Sequence, residues 1–512
     1  MKIRLIILLL TFQVLNQSCH KTGNKIGKWE IFETVIVNRK EYDDPFREVS
    51  LMALFTGPGG KEIPVRGFYA GNNVWKIRFM PDQEGKWKYV ARFSDGVLSK
   101  KGSLICEASD VPGTIKLYND NPFWFASNGC DPVILRSFHA GDRFFADTSN
   151  FLSGEEWSSK HRSRFLDWLQ EKGYNMLSVA SHYLNRNAEG RGKGWNTPDL
   201  WDSEKKVPRP EEYDRIEKIM NDLAVRKIIV YPFAGFLGKS SDFPVDTADQ
   251  KLYIDYTLSR LASYWNIVYN VAGPEPTLKG YPYLSYNQII TAGKYISENN
   301  AYGHLLSVHT PTGDNLFKDQ EWLGFVTMQG PKTTTRRDLY EGLLRNHPEK
   351  KGLYAQETLW SGNKYHPVYS MEDIRKNAIV AFMAGAMINF ADMNGDSSSG
   401  FSGSLNPAEA NDGIHNVFHQ VMDFFESTGY FRMKPHPECV NNGYCLASPG
   451  KVYLVYLENG GSVNIDIKDG NYRLKWINAS DLSDIVDGGT TSSGKELTAP
   501  AYGSDWFVML NN

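Results

Sequence analysis

The sequence has 512 residues with 56 basic and 59 acidic side chains, which gives a formal net charge of −3. This balance provides no basic excess to neutralise phosphates, and it therefore argues against a nucleic-acid-binding protein. An ordinary hydrophobic content of 41% without long runs of like charge argues against intrinsic disorder. At roughly 100–200 residues per domain, the length predicts two to four domains. Aromatic residues make up 13% of the chain, which suits either β-sandwich cores or a groove for a half-apolar ligand such as a sugar.

The N-terminal segment 1–19 has the pattern of an export signal. Lys2 and Arg4 precede an apolar run over residues 5–15, which has signal-peptide length and is too short to span a membrane as a helix. Cys19 follows Ser18, as in a bacterial lipoprotein signal, although the leucine lies one position further from the cysteine than usual. We expect lipidation of Cys19 and export to the periplasm or outer membrane of a Gram-negative bacterium. Simple secretion with cleavage nearby is the alternative.

Four cysteines remain after Cys19, and export would permit them to form disulfides. Cys439 and Cys445 flank the turn signal Asn442-Gly443. The sequence is compatible with a disulfide between them across a hairpin and equally with two unpaired thiols. The other two cysteines are Cys106 and Cys130. No Cys/His spacing resembles a zinc site, and we expect no cofactor.

Residues 20–115 are predicted to form an Ig-like β-sandwich. Its strand candidates alternate apolar and polar residues or are rich in β-branched and aromatic residues, and turn residues separate them. In chain order they are TVIVN, SLMALFTG, VWKIRFMP, GKWKYVARF and GSLICEA.

Residues 116–430 alternate short apolar strands with amphipathic helices, which is typical of parallel βαβ units. The strand candidates are VILRSF, NMLSVASH, KIIVYPFAG, NIVYNVAG, HLLSVHT, GFVTMQG, LYAQE and MINFAD. The helix candidates are RSRFLDWLQEKG, EYDRIEKIMNDLAVR, YNQIITAGKYISENN, RRDLYEGLLRN, IRKNAIVAFMAG and HNVFHQVMDFFESTG. Eight strands predict a (β/α)8 TIM barrel. A doubly wound open sheet is disfavoured because no G-x-G-x-x-G turn follows the first strand.

Residues 431–512 are again β-rich, and we expect a small antiparallel β domain. Its strand candidates are KVYLVYLEN, SVNIDI, YRLKWIN and DWFVML, with Gly-Gly and Asp-Gly turns between them.

Reactive side chains of such a barrel lie just past the C-terminal ends of its strands. In strand order those positions hold His139 and Asp142, His182 and Tyr183, Phe233, Glu275, His309, Gln329, Glu357 and Asp392. Glu275 and Glu357 close otherwise apolar strands, where burial of an unpaired carboxylate would be expensive. Two carboxylates that face each other across a barrel mouth suit glycosidic bond cleavage, in which one protonates the leaving oxygen and the other attacks the anomeric carbon.

With these glutamates after its fourth and seventh strands, the barrel resembles clan A of the glycoside hydrolases. The resemblance implies that Glu275 is the acid/base and Glu357 the nucleophile of a retaining enzyme. The three-part layout is similar to glycosidases of Bacteroidetes polysaccharide-utilisation systems. Those carry an N-terminal Ig-like domain of unknown function, matched here by FETVIVN and VWKIRFMPDQEGKWKYVARFSD. Their C-terminal domain is named for collagen binding and is matched by YLVYLENGGSVNIDI, YRLKWINAS and APAYGSDWFVML.

One position departs from the clan A pattern. Members usually have Asn immediately before the acid/base, whereas this chain has Pro274, which carries no side-chain donor for the sugar 2-hydroxyl. Either another residue recognises that hydroxyl, or the substrate differs there, or the acid is not Glu275. In the last case Asp142 or Asp392 is the substitute.

Further side chains are candidates for substrate binding. Trp360 and the tryptophans of the 185–210 loop, Trp195 and Trp201, can stack on sugar rings. Arg136 would pair with a carboxylate if its side chain turned into the barrel. The remaining candidates are His139, His182, Tyr183, His309, Gln329 and Asp392. The Asp/Asn-rich segment 392–396 contains oxygen ligands of the kind that bind calcium, but their spacing does not match that of a calcium-binding loop.

The sequence therefore favours an exported retaining glycoside hydrolase that acts on a polysaccharide or its oligosaccharides. The main alternative is a catalytically silent glycan-binding lipoprotein, for which Pro274 is the best argument. A third hypothesis is an adhesion protein that binds a matrix through its C-terminal domain.

Overall fold

The computed structural model describes residues 25–96, 99–141, 144–147, 158–179, 198–238, 243–244, 246–280, 282–313, 315–330, 335–361, 368–392 and 411–512. Cys19, Asp142, His182, Tyr183 and Trp195 lie outside these residues.

The N-terminal part is a β domain of two sheets, as expected. Its strands are β1 (Lys25–Gly27), β2 (Phe32–Val37), β3 (Leu51–Thr56), β4 (Glu62–Arg66), β5 (Phe68–Tyr69), β6 (Val74–Phe79), β7 (Gly85–Phe93) and β8 (Ser99–Glu107). One sheet has the order β1-β8-β7-β3-β4 and the other the order β2-β6-β5. The rings of Phe55 and Phe79, one from each sheet, stack with centroids 3.9 Å apart. Trp75 and Trp87 are buried core residues, as their strand positions predict.

A three-stranded antiparallel sheet links this domain to the barrel. It consists of β9 (Ile115–Tyr118), β10 (Asn121–Ser127) and β11 (Asp131–Pro132). The ring of Trp124 stacks on that of Phe382 at 5.3 Å, and its indole N–H donates to the backbone oxygen of Met433. The small sheet therefore packs against both the barrel and the C-terminal part.

The central part contains a parallel sheet that is consistent with a TIM-like barrel. Its strands are β12 (Arg136–Gly141), β13 (Met176–Val179), β14 (Trp201–Asp202), β15 (Val207–Pro208), β16 (Ile229–Pro232), β17 (Leu237–Gly238), β18 (Tyr269–Asn270), β19 (Ala272–Gly273), β20 (Leu306–Ser307), β21 (His309–Thr310), β22 (Phe325–Gln329), β23 (Gly352–Ser361) and β24 (Ala386–Asp392). Seven of them form a sheet in the order β16-β13-β12-β24-β23-β22-β21.

Residues 267–270, which correspond to the fourth strand of a barrel, lie between the two edge strands of this sheet, β16 and β21. Val230 in β16 forms a parallel bridge with Ile267, and β18 pairs in parallel with β20. Side chains also meet across the interior, since Gln356 Nε2 of β23 donates to Ser178 Oγ of β13 at 3.0 Å although β12 and β24 lie between those strands. These contacts show that the sheet curves back on itself.

Seven α-helices are present in the described part of the chain. They are α1 (Ser159–Glu171), α2 (Pro210–Val225), α3 (Thr247–Leu261), α4 (Tyr286–Asn299), α5 (Arg336–Asn346), α6 (Met371–Met383) and α7 (Asp412–Ser427). The sequence patterns missed α3. Between the fifth and sixth strands, residues 315–324 form turns where a regular (β/α) repeat would place a helix. Among these described helices, none is both long and apolar enough to cross a membrane.

The C-terminal part is a β-sheet domain. Its strands are β25 (Lys434–Pro435), β26 (Tyr444–Ser448), β27 (Val452–Leu457), β28 (Ser462–Asn464), β29 (Tyr472–Asn478), β30 (Ile485–Thr491), β31 (Glu496–Thr498) and β32 (Trp506–Asn511). Six of them form an antiparallel sheet in the order β25-β26-β27-β32-β29-β30, and β28 pairs with β31. Cys439 and Cys445 are free thiols, as are Cys106 and Cys130, so the disulfide across the hairpin is not formed.

A buried ionic cluster joins the N-terminal domain to the barrel. Arg78 of β6 donates to Glu33 and to Glu217 of α2, and Arg260 of α3 also contacts Glu217. Burial alone would raise the pKa of Glu217, but the charges of Arg78 and Arg260 outweigh that effect and lower this pKa to about 2. The carboxylate of Glu217 is therefore held ionised between two guanidinium groups from different domains.

Candidate functional site

Glu357 lies in a bulge of the seventh barrel strand. The pairing of β23 with β24 passes from Ala355–Ile388 directly to Leu359–Phe390, so that β23 has two more residues than β24 in this interval. Bulges of this kind re-aim side chains and occur next to active sites. The carboxylate of Glu357 is buried, with the residue only 3% exposed.

Two side chains from the neighbouring strands surround this carboxylate. Gln329, the last residue of β22, donates from Nε2 to Glu357 Oε2 at 2.6 Å. The Nε2 atom of His309 in β21 lies 3.7 Å from Glu357 Oε1. The fifth, sixth and seventh strands thus converge on one buried carboxylate, although Glu357 lies inside β23 (Gly352–Ser361) and does not close the strand as the sequence predicted.

Asn270 of β18 holds His309 in place, and the sequence analysis did not single it out. The backbone N–H of His309 donates to Asn270 Oδ1 at 3.0 Å, while Asn270 Nδ2 donates to the backbone oxygen of Phe233. One fully buried amide therefore joins the ends of the third, fourth and fifth strands. The available signal was the polar side chain inside the apolar segment NIVYNVAG, the same signal that identified Glu275.

Glu275 follows β19 and is half-buried. Its backbone N–H donates to the backbone oxygen of His309 at 2.9 Å. The preceding Gly273-Pro274 bond is cis. A Cβ added to Gly273 would lie 2.2 Å from the Phe233 oxygen and 2.6 Å from Asn270 Nδ2, so only glycine fits between the strands at this point.

Both glutamates have left-handed backbone conformations. The φ angle is +52° at Glu275 and +60° at Glu357, and only six other non-glycine residues in the described part of the chain have positive φ. Such conformations cost roughly 1–3 kcal/mol each, cluster at active sites and ligand clamps, and persist only where the surrounding structure enforces them. The occurrence of both glutamates in this small group supports a functional role for the pair.

Aromatic rings lie beside this carboxylate site. The Phe233 ring is 5.4 Å from the ring of His139 and 5.7 Å from that of His309, measured between centroids. His139 and His309 are both fully buried, and Phe233 is nearly so. His139 of the first strand thus reaches the same site as His309 of the fifth, with Phe233 between them.

Two predicted binding residues do not join the site. Arg136 does not turn into the barrel, since Nη2 forms ion pairs with Asp423 and Glu426 of α7 at 2.6 and 2.8 Å. Successive strand residues face opposite sides, so Arg136 points away from the side that His139 faces. Trp201 is buried in β14 beside the ring of Tyr253 and is unavailable to a ligand.

The remaining candidates are described only in part. Trp360 is the residue before the last in β23 and Asp392 is the last residue of β24, and the described features of these two residues are those of the backbone. Asp142, His182, Tyr183 and Trp195 are outside the described residues.

One cluster of side chains suitable for a metal ion occurs in the described part of the chain, and it is not in the barrel. The ligand atoms of His436, Glu438 and Cys439 lie within 4.8 Å of one another. His436 Nδ1 is hydrogen-bonded to Glu438 Oε1 at 2.7 Å.

Comparisons with known proteins give two family matches. Residues 137–388 match the family described as Apiosidase-like, catalytic domain, and residues 25–94 match a domain of unknown function, DUF5060. No curated protein matches the sequence.

Solved structures show the same fold. A candidate glycoside hydrolase from Bacteroides vulgatus has a TM-score of 0.70 and 16% identity, with 96% of this chain and 100% of that chain covered. A family 5 glycoside hydrolase from the same species has a TM-score of 0.56 and 16% identity, with coverages of 78% and 93%. A further glycoside hydrolase has a TM-score of 0.58 and 14% identity, with coverages of 79% and 98%. Together with the family match, this fold supports glycosidase activity in general.

Proposed function

We propose that this protein is a retaining glycoside hydrolase that cleaves glycosidic bonds in a polysaccharide or its oligosaccharides. Glu357 is the nucleophile and Glu275 the acid/base. The observation that carries the proposal is the buried Glu357 carboxylate in a strand bulge, hydrogen-bonded by Gln329 at 2.6 Å.

The surroundings of Glu357 suit a nucleophile. The amide N–H of Gln329 can only donate, and it therefore favours the ionised carboxylate, whose oxygens only accept. Nucleophilic attack requires this ionised form. The buried and partly aromatic surroundings exclude water from the carboxylate, which strengthens its interactions with a developing positive charge on the sugar.

The reaction takes two displacements. A Glu357 oxygen bonds to the anomeric carbon as the glycosidic C–O bond breaks, and the departing oxygen takes a proton from Glu275. Glu275 then removes a proton from water, whose oxygen bonds to the anomeric carbon and releases Glu357. The half-buried position of Glu275 allows contact with both the leaving group and the incoming water.

The family name gives a first choice of substrate. Because residues 137–388 match an Apiosidase-like catalytic domain, apiosides belong at the head of the substrate panel. Neutral and acidic polysaccharides complete it, with products separated by chromatography and the configuration of the first-formed product read by NMR. Retention of configuration is expected, and inversion would contradict the double displacement.

Glu357→Gln tests the nucleophile. We expect turnover to fall at least about a thousandfold while the melting temperature stays near that of the wild type, because Gln preserves the shape but cannot attack. Glu372→Gln, on the exposed start of α6, is the matched control and should remain active. Unchanged activity of Glu357→Gln would contradict the assignment.

Glu275→Ala tests the acid. Substrates with poor leaving groups should lose far more activity than aryl glycosides, and azide should restore turnover of the aryl glycosides, since it needs no general base. Equal losses on both substrate types would shift the acid role to Asp142 or Asp392.

Pro274 is the observation that favours the second candidate function, a catalytically silent glycan-binding protein. Binding of polysaccharides in affinity electrophoresis, without any product from the bound glycans, would support that function over hydrolysis.

We also propose export with a lipid anchor at Cys19, which rests on the charged and apolar residues of segment 1–19. Incorporation of labelled palmitate by the wild type and its loss in Cys19→Ser are the expected results. Labelling of the variant would contradict the proposal.

A further inference from the structure

An exposed apolar surface lies beside the loop that carries Glu275. Tyr286, the first residue of α4, is 40% exposed, and Leu316 is 59% exposed. The backbone oxygen of Leu316 lies 3.5 Å from the Tyr286 hydroxyl. We refer to these two residues as the rim patch.

The tyrosine ring of the rim patch is held in a fixed orientation. It stacks on the fully buried ring of Phe317, with centroids 4.9 Å apart and planes 20° from parallel. Gln320 Nε2 also donates to its hydroxyl at 3.4 Å. Ser285 and Gln288 form a capping box that sets the start of α4. A positioned aromatic ring loses little conformational entropy when a ligand stacks on it.

Tyr286 of the rim patch directly follows the loop that carries Glu275, whereas Leu316 lies in the segment after the fifth strand. The backbone N–H groups of Tyr283 and Leu284 both donate to the oxygen of Pro276, which folds the loop back on itself. With standard backbone dimensions and the 3.3 Å bond to Leu284, the Cα atoms of Pro276 and Tyr286 are at most roughly 15 Å apart. This separation is within the reach of an oligosaccharide.

We propose that the rim patch is a subsite that stacks a sugar ring of the leaving group. The inference rests on the proposed function, because the acid Glu275 must lie next to the leaving-group oxygen. Sugar rings carry an apolar C–H face, which packs on an aromatic surface such as Tyr286. The protein is therefore built for substrates with an extended saccharide on the leaving-group side rather than for small aglycones.

Tyr286→Ala tests the subsite in the full-length protein. The substrates are a longer oligosaccharide of the polysaccharide that the wild type cleaves and the corresponding 4-nitrophenyl glycoside. We expect the ratio of kcat/KM on the oligosaccharide to that on the aryl glycoside to fall about tenfold, mainly through KM. Tyr286→Phe should recover most of this loss, because the ring rather than the hydroxyl makes the contact.

Tyr502→Ala is the matched control, since Tyr502 is 89% exposed in the C-terminal domain. Its ratio should equal that of the wild type. An unchanged ratio in Tyr286→Ala, with a melting temperature like that of the wild type, would overturn the inference.

Binding separates this inference from the proposed function. Glu357→Gln and the double variant Glu357→Gln/Tyr286→Ala are compared by electrophoresis in gels that contain xyloglucan, arabinoxylan, galactan or dextran. Retardation that Tyr286→Ala abolishes supports the subsite even if the wild type cleaves none of these glycans, a result that would overturn only hydrolysis. Equal retardation of the two variants overturns the subsite, and so does the absence of retardation in all four gels.

Discussion

The side-chain amide of Gln329 donates to the Glu357 carboxylate at 2.6 Å, so that the last residue of one strand holds a buried carboxylate of the next. Because a hydrogen bond to a charged group contributes about 1.5–3 kcal/mol, Gln329→Ala should lower kcat/KM by roughly 10- to 150-fold. The measurement is steady-state kinetics on the substrate identified for the wild type.

Gln329→Glu gives a sharper version of this test. A second carboxylate beside Glu357 disfavours its ionised form, so the acidic limb of the pH–rate profile should move to higher pH. Gln83→Ala, on an exposed position of the N-terminal domain, serves as the control for both variants. An unshifted acidic limb in Gln329→Glu would argue against Glu357 as the ionised nucleophile.

Asn270→Ala removes the amide that joins three strand ends. The backbone N–H of His309 and the backbone oxygen of Phe233 would lose their buried partner, and each unsatisfied group costs about 1–3 kcal/mol. We expect the free energy of unfolding to fall by about 2–6 kcal/mol in urea denaturation. A fall below about 1 kcal/mol would show that water or a rearranged backbone replaces the amide.

Arg78→Met breaks the ionic cluster between the N-terminal domain and the barrel. Arg78 is only 4% exposed, and its removal leaves Glu33 and Glu217 without one guanidinium partner. A loss of about 3–5 kcal/mol in the free energy of unfolding is expected. The exposed pair Lys25–Glu107 offers the contrast, since Lys25→Met should cost less than about 1 kcal/mol. Similar losses of unfolding free energy in Arg78→Met and Lys25→Met would contradict the expectation that the buried ion pairs contribute more than the exposed pair.

Acid should destabilise the protein through buried histidines. Burial lowers the pKa of His304 to about 4 and that of His347 to about 3, whereas the ordinary value is 6.5. Between these values the unfolded chain binds protons that the folded protein excludes, so stability is full above pH 6.5 and falls as the pH decreases. Each histidine contributes a slope of about 1.4 kcal/mol per pH unit in that window.

The measurement is urea denaturation at several pH values between 7 and 4. His304→Gln should lose about 1.4 kcal/mol per pH unit of this slope, because the titrating group is gone. An identical slope in the variant would show that other groups dominate the acid sensitivity.

Much of the architecture could be predicted because its periodicities are strong. Alternating strands identified the N-terminal β domain, and short apolar strands between amphipathic helices identified the parallel sheet. The helix α3 escaped because Tyr253, Ile254 and the run from Tyr256 to Leu261 are all buried. The buried stretch includes the polar residues Thr257, Ser259 and Arg260, so that burial in this helix does not follow a 3.6-residue apolar pattern.

The sequence predicted which residues of the candidate site follow the strands, but it did not predict which of their side chains are in contact. The positions predicted at strand ends included Glu357, Gln329 and His309. The distances between their side chains depend on the bulge in β23, and no pattern in the sequence predicts that bulge. The prediction that the side chain of Arg136 turns into the barrel was wrong for a different reason. Strand alternation places it opposite to His139, three residues later, so the two could not both face the barrel interior.

The left-handed backbone at Glu275 and Glu357 has a consequence for protein engineering. At both positions a glycine would adopt the observed φ angles without strain, and it would also delete the carboxylate. Selection for heat resistance alone should therefore favour replacement of the half-buried Glu275 rather than of Glu357, whose buried carboxylate is hydrogen-bonded by Gln329, and under the proposed function it would yield more stable proteins without their acid. Directed evolution of this protein for thermal stability therefore has to include an assay of turnover in every round of selection.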